Sequence, residues 1–248
     1  MKKSILFFIA LTFGFCLESF AQGVSLPNIN IGMQSLDKPE DIVSSIKILL
    51  MITVLTLAPA ILIMMTGFTR IVIVLSFTRQ AIGTQQMPPN QLLIGLALFL
   101  TFFVMQPHFS ELNSKAVQPF LEGKINQEQA VDAALLPMRR FMFNQTRDSD
   151  LSLFLKLSKA EAPKTRADVA TTVLIPAFII SELKTAFQIG FIIYLPFLVI
   201  DMVVASVLMA MGMMMLPPVV VSLPFKIMLF VLVDGWGLLV GSMIKSFG

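Results

Sequence analysis

The residues able to do chemistry are few, and they stand in unusual places. Glu182, Asp201, Lys226 and Asp234 lie in the otherwise apolar final third of the chain. A charge at the centre of a bilayer costs about 2.5–3.5 kcal/mol on insertion scales. Each therefore needs an ion partner, water, or a route to the headgroups. Lys226, close to Pro224, has the easiest route. Asp201 has none, because Phe197-Leu198-Val199-Ile200 precedes it and Met202-Val203-Val204 follows. The chemistry open to such groups is pairing, within one chain or between copies, or the handling of ions and protons.

Sulfur is the second resource. The chain has 17 methionines, and Met209, Met211, Met213, Met214 and Met215 crowd the approach to Leu216-Pro217-Pro218. One methionine in an apolar helix is ordinary filler. Three in a row before a double proline form a soft, unbranched patch that packs against changing shapes. A ring of them would close a pore and part for a passing chain. Other chemistries lack their residues. His108 is the only histidine and Cys16 the only cysteine, and the sequence has neither a phosphate-cradling loop nor a dinucleotide fingerprint. Ser181-Glu182 alone is no catalytic signature. No enzyme activity, metal site or cofactor is expected.

The elements that must position these residues are membrane helices. The chain is 56% hydrophobic and 13% charged, against about 25% charged for a soluble domain. Too little polar surface remains to cover a water-soluble globule. The net charge of +3 is spread along the sequence, so no nucleic-acid footprint is present. Residues 1–21 read as a signal peptide: Lys2-Lys3, an apolar run from Ile5 to Leu17, then Ser19-Phe20-Ala21. Cleavage after Ala21 removes Cys16. Residues 22–44 form a polar, turn-rich lead-in on the periplasmic side.

Residues 45–106 read as a first helical hairpin with its connection on the cytoplasmic side. Its first span runs from Ile46 to Met65, interrupted by Pro59, and its second from Leu92 to Met105, ending at Pro107. Arg70 and Arg79 lie between the spans, and the positive-inside rule assigns both to the cytoplasm. Residues 107–170 carry nearly balanced charges and read as a periplasmic helical insert. In it, Asn126 and Gln129 form a capping-box pattern, and Asp148 or Ser149 is placed to cap a helix bearing Leu151, Phe154, Leu155 and Leu157. Phe141, Phe143 and Phe154 either fill a small core of the insert or join copies of the chain. Residues 171–248 form a second hairpin region with the methionine-rich turn. Hydropathy puts its spans near 190–212 and 224–244 and leaves 172–190 as an amphipathic or half-inserted helix. Pro176, Pro196 and Pro217-Pro218 are expected breaks. No internal repeat is visible. The fold class is all-α: a multi-pass membrane protein of broken helical hairpins with about four spans.

Three stretches carry a family resemblance. Pro176-Ala177-Phe178-Ile179-Ile180-Ser181-Glu182-Leu183-Lys184-Thr185-Ala186-Phe187-Gln188-Ile189-Gly190 resembles the first signature of the FliP family. Pro196-Phe197-Leu198-Val199-Ile200-Asp201-Met202-Val203-Val204-Ala205-Ser206 resembles the second, and Met211–Pro218 resembles the family's methionine loop. The likeness extends over the signal peptide, residues 68–79 and the charged insert.

The resemblance implies a non-enzymatic subunit of the flagellar type III export gate in the bacterial inner membrane, at the flagellar basal body. Part of that assembly lies on the periplasmic side. Five copies would assemble into a helical ring with FliR and several copies of FliQ, joined by FlhB and FlhA. The ring would pass exported unfolded flagellar proteins. Met213, Met214 and Met215 would be its gasket, Glu182 and Lys226 a salt bridge between neighbouring copies, and Phe141 and Phe154 contacts between copies. Asp201 and Asp234 are left as buried charges. A virulence secretion component, a small-ion channel or proton-coupled transporter using Asp201 and Asp234, and a purely structural scaffold remain as alternatives.

Overall fold

The computed structural model describes residues 46, 48–49, 52–53, 56–57, 59–61, 63–84, 87–158, 163, 165–213 and 215–248. The expected signal peptide and lead-in lie outside the described residues. Contacts divide the chain after Thr53, and the description below concerns Val54–Gly248. No strand occurs among the described residues, and the protein is an all-helical membrane protein. The described residues from 46 to 64, in the expected first span, are helical.

Helix α1, Phe68–Ile82, follows a turn at Met65–Gly67 and stops at Gly83. Gly83 takes the left-handed conformation at φ 88, and its N–H caps the Gln80 carbonyl. Helix α2, Asn90–Leu112, runs straight through the expected stop at Pro107. It continues through a π-helical stretch, Asn113–Val117, and one more α-helical turn to Leu121. Proline removes one backbone bond, which a long packed helix tolerates.

Helix α3, Gln127–Gln145, starts with the expected reciprocal cap. Gln129 N–H donates to Asn126 Oδ1 at 2.9 Å, and Asn126 N–H donates to Gln129 Oε1 at 3.1 Å. Helix α4, Asp148–Leu157, departs from expectation, because Arg147 is its N-cap and no side chain caps it. The nearby carboxylates have other tasks. Asp150 accepts from Ser181 Oγ at 2.7 Å, and Asp148 accepts from Arg166 at 3.1 Å. Both still sit favourably in the first turn of the helix dipole. Leu157, expected on the buried face, is exposed.

Helix α5, Thr171–Ala210, is the main correction. It is one helix of 40 residues, continuous through Pro176 and Pro196, and about 60 Å long. Segment 172–190 is therefore its first half rather than a separate half-inserted helix. Helices α6, Pro218–Leu232, and α7, Gly235–Lys245, split the expected last span with a bend of 64°. Asp234 at φ 50 makes the elbow. The Phe230 ring fills the space of a Gly235 Cβ, with ring carbons 2.4 Å from where that atom would sit. Two helices among the described residues are long and apolar enough to cross a membrane, or three if the bent pair is one span.

The register follows from the contacts. α1 and α5 run parallel: Arg70 meets Glu182, and the Phe77 ring lies 5.3 Å from that of Phe187 and against Gly190. α6 and α7 return antiparallel. Lys226 meets Asp201, Phe230 packs 6.2 Å from Phe197, and Arg70 lies over the Phe247 ring. Three core clusters line this axis. The insert packs Met138, Phe141, Met142 and Leu151 against Met105, Leu174 and Phe178. Ile71, Val74, Leu75, Leu93, Ala97, Ala186, Leu239 and Met243 form the second cluster, and Ala81, Ile82, Phe197 and Phe230 the third.

Two consequences bear on function. Arg70 donates to Gln145 of α3, so it shares a level with the insert and not with the hairpin tip. Only Arg79, bonded to Asn90 and the Pro88 carbonyl, lies at the hairpin tip. Second, α1 ends beside Lys226: a methyl placed on Gly83 would lie 3.8 Å from Lys226 Nζ. Residues 202–213 and 215–225 therefore project past the α1–α2 tip as a two-helix finger. The finger carries no charged residue.

Candidate functional site

Arg70, Glu182, Asp201 and Lys226 form two ion pairs, one fully buried and one half-buried. At the first, Arg70 and Glu182 are 2% and 0% exposed. Arg70 Nε donates to Glu182 Oε2 at 2.9 Å, and Nη2 donates to Oε1. Nη2 also reaches Gln145 Oε1 at 2.8 Å. Nη1 donates to the Ser246 carbonyl at 2.9 Å and to Ser246 Oγ at 3.1 Å. All five guanidinium protons thus have acceptors, and the carboxylate is held by the bidentate fork that arginine alone provides. The Phe247 ring closes the node from below, 4.0 Å from Arg70 Cζ, and Gln145 Nε2 donates to the Phe247 carbonyl at 2.9 Å. Gly67 makes room for that ring, whose carbons lie 2.7 Å from where its Cβ would be.

At the second, Lys226 Nζ meets Asp201 Oδ2 at 2.6 Å, with Lys226 2% and Asp201 25% exposed. Ser222 Oγ donates to the other carboxylate oxygen. The ammonium also sits at the carboxyl end of α1, where the helix dipole favours a cation. This node ties α1, α5 and α6 together at the base of the finger.

The expected Glu182–Lys226 bridge between copies meets a different arrangement. Each residue is buried and already paired inside its own chain, so such a bridge would require both pairs to open. Asp234 was expected to be buried. It is exposed at the elbow, with no side-chain cap bond, because the left-handed turn swings it out of the helix line. Asp201 is half-buried and partnered. Phe141 lies inside the chain's own core, between His108, Phe178 and Phe247 at ring distances of 5.2, 5.8 and 6.2 Å. It is therefore not available to a second copy. Phe154 is half-buried against the same core, and Phe143 packs beside Arg139.

The methionine turn stands at the far end of the finger. Gly212, at φ 75, ends α5. The N–H of Met213 reaches back to the Leu208 carbonyl at 2.9 Å, closing the helix end. Met211 and Met213 are exposed, and Met215 is 98% exposed. Met214 lies outside the described residues. The two hairpin tips share a pattern: Gly83 with Met87-Pro88-Pro89, and Gly212 with Leu216-Pro217-Pro218, the glycine left-handed in both. This is a repeat confined to the turns, which a search for longer repeats passes over.

Sequence reasoning missed Arg70 as a site residue. The signal was available, because a buried glutamate demands a cation, and few cations stand in apolar stretches. It also missed the polar clasp of the insert on α5, where Ser181 Oγ accepts from Arg147 N–H at 3.1 Å and donates to Asp150. No group of His, Cys, Asp and Glu among the described residues is placed to hold a metal ion.

Comparison with known proteins agrees with this architecture. Residues 51–243 match the model of the FliP family. The chain is 59% identical over 217 residues to the flagellar biosynthetic protein FliP of Bacillus subtilis (strain 168), covering 88% of this chain and 98% of that one. It is 56% identical to the FliP of Pectobacterium carotovorum, over 82% of this chain and 79% of that one. With the FliP of Borreliella burgdorferi it shares 47% identity across the whole of both. The match spans both ion pairs, the finger and the methionine turn, and the chain belongs to the FliP family.

Proposed function

We propose that this chain is a pore-forming subunit of the flagellar type III protein-export gate. It sits in the bacterial inner membrane at the flagellar basal body, with its insert on the periplasmic side. Five copies form a helical ring with FliR and FliQ, FlhB and FlhA join it, and exported flagellar proteins pass through it unfolded. The observation that carries the reading is the finger. Residues 202–225 hold no charge, and Met202, Val203, Val207, Val219, Val220 and Phe225 are exposed on it. Apolar surface projecting past a chain's own core is covered by lipid or by other protein, and a ring of copies supplies the latter. Fingers arranged around an axis bring their methionine turns together, where Met213, Met214 and Met215 form a soft constriction. No side chain in the finger offers catalysis, so the conduit is passive and is driven from elsewhere. The relatives named above are all flagellar biosynthetic proteins, which favours a flagellar over a virulence system.

A proton or ion carrier built on Asp201 and Asp234 fits less well. Asp201 is paired with Lys226 and accepts a hydrogen bond from Ser222, and the Asp234 side chain stands alone at an exposed elbow. The test replaces Met213, Met214 and Met215 together with alanine in the assembled gate. Membranes carrying it are expected to leak small ions. A correctly assembled triple variant that stays tight refutes the sealing role.

A further inference from the structure

Between Thr171 and Lys245 the chain holds five charged residues before the terminal lysine. Three are settled within the chain: Glu182 by Arg70, and Asp201 and Lys226 by each other. Lys184 and Asp234 remain. Both are exposed, and among the described residues neither side chain makes a hydrogen bond or ion pair. Each stands among exposed apolar side chains: Phe187 and Phe191 beside Lys184, Leu232 and Leu238 beside Asp234. An exposed charge flanked by apolar side chains gains from a counter-charge that a neighbouring molecule brings to it. One residue is a cation and the other an anion, and they lie on different elements, the α5 flank and the α6–α7 elbow.

We infer that Lys184 of one copy pairs with Asp234 of the next copy of this chain. The partner's identity rests on the ring proposed above. The charges are complementary, which a second copy supplies without any further protein. Because the two residues belong to different patches, the contact is head-to-tail. Such contacts build rings or helices rather than closed two-fold dimers. The heights add a constraint. Asp234 lies four residues past Phe230, which packs on Phe197, and so stands near the level of residue 193 of α5. That is about 13 Å tipward of Lys184 at helical rise. The lysine stem covers part of that drop, and a stagger of neighbouring copies along the axis covers the rest.

The test uses the full chain expressed with its gate partners, with Cys16→Ala removing the only native thiol. A short bifunctional thiol reagent is applied to Lys184→Cys, to Asp234→Cys and to the double variant. A head-to-tail pair gives no cross-link in either single variant and a ladder of dimers and higher multimers in the double one. Charge reversal reads the same contact without cysteine. Lys184→Glu or Asp234→Lys is expected to lower the yield of assembled gate about tenfold or more, and the reversed pair to restore it. Assembled particles that give no ladder overturn the pairing and leave the ring standing, as does Lys184 engaged with lipid phosphate instead. Cross-linked dimers from a single variant overturn the head-to-tail geometry. A chain that stays monomeric overturns both ring and pairing.

Discussion

Replacing Glu182 by glutamine leaves the Arg70 guanidinium buried with its charge uncompensated. The structure sets the scale of the loss. Arg70 is 2% exposed and cannot turn to water, and its fork to the carboxylate is a pair of charge-assisted hydrogen bonds. Removing one partner of such a pair costs about 3–5 kcal/mol, a large share of a typical stability of roughly 5–15 kcal/mol. Arg70→Met is expected to cost about as much, since it strands Glu182 instead. The double variant Arg70→Met/Glu182→Leu removes both charges. It still orphans Gln145 Oε1 and the Ser246 carbonyl, at about 1–3 kcal/mol each, so it falls well short of the sum of the singles.

Thermal unfolding of the detergent-solubilised protein reads this order. At about 2–4 °C per kcal/mol, each single variant drops by roughly 6–20 °C, and the double variant drops no further than the worse single. Losses that simply add would refute the pairing. The same assay separates this geometry from a Glu182–Lys226 bridge. The swap Glu182→Lys/Lys226→Glu is expected to be worse than either single, because it sets a lysine against Arg70 and a glutamate against Asp201. Restored stability in that swap would refute the intrachain assignment.

Asp201→Asn leaves the Lys226 ammonium buried without its counter-charge and is expected to destabilise by about 3–5 kcal/mol. Ser222→Ala removes one hydrogen bond to the same carboxylate and costs about 1.5–3 kcal/mol, and comparison of the two unfolding midpoints checks the order. Gly67→Ala pushes a methyl into the Phe247 ring and is expected to cost about 1–3 kcal/mol. Combining it with Phe247→Leu recovers part of that loss in the same melt, and strictly additive losses would show that the ring does not occupy the space.

Much of the fold was legible because its signals are local. The Asn126–Gln129 cap and the Pro217-Pro218 break each depend on a few adjacent residues, and the helices formed accordingly. Pro107, Pro176 and Pro196 misled because a proline's effect depends on what surrounds the helix. Packing against neighbouring helices holds α2 and α5 continuous where a lone helix would kink. Hydropathy misjudged 172–190 because its polar residues face the insert: Ser181 meets Arg147 and Asp150, and Glu182 meets Arg70. The site was half legible. Composition marked Glu182, Asp201 and Lys226 as charges needing partners. The partners themselves come from 112 and 25 residues away in sequence, and only the parallel register of α1 and α5 brings Arg70 to Glu182. Asp234 was misjudged because its left-handed backbone, not its neighbours' hydropathy, decides its exposure.

The two ion pairs also have a mechanical meaning. They grip α5 at residues 182 and 201, about 28 Å apart along its axis. Beyond the second grip only Met202–Ala210 overhangs, a cantilever of about 14 Å. A beam that short, clamped that close to its free end, barely deflects. In the proposed ring, the aperture would therefore widen by the rotation of thioether side chains at the tip, while the helices that carry them stand still.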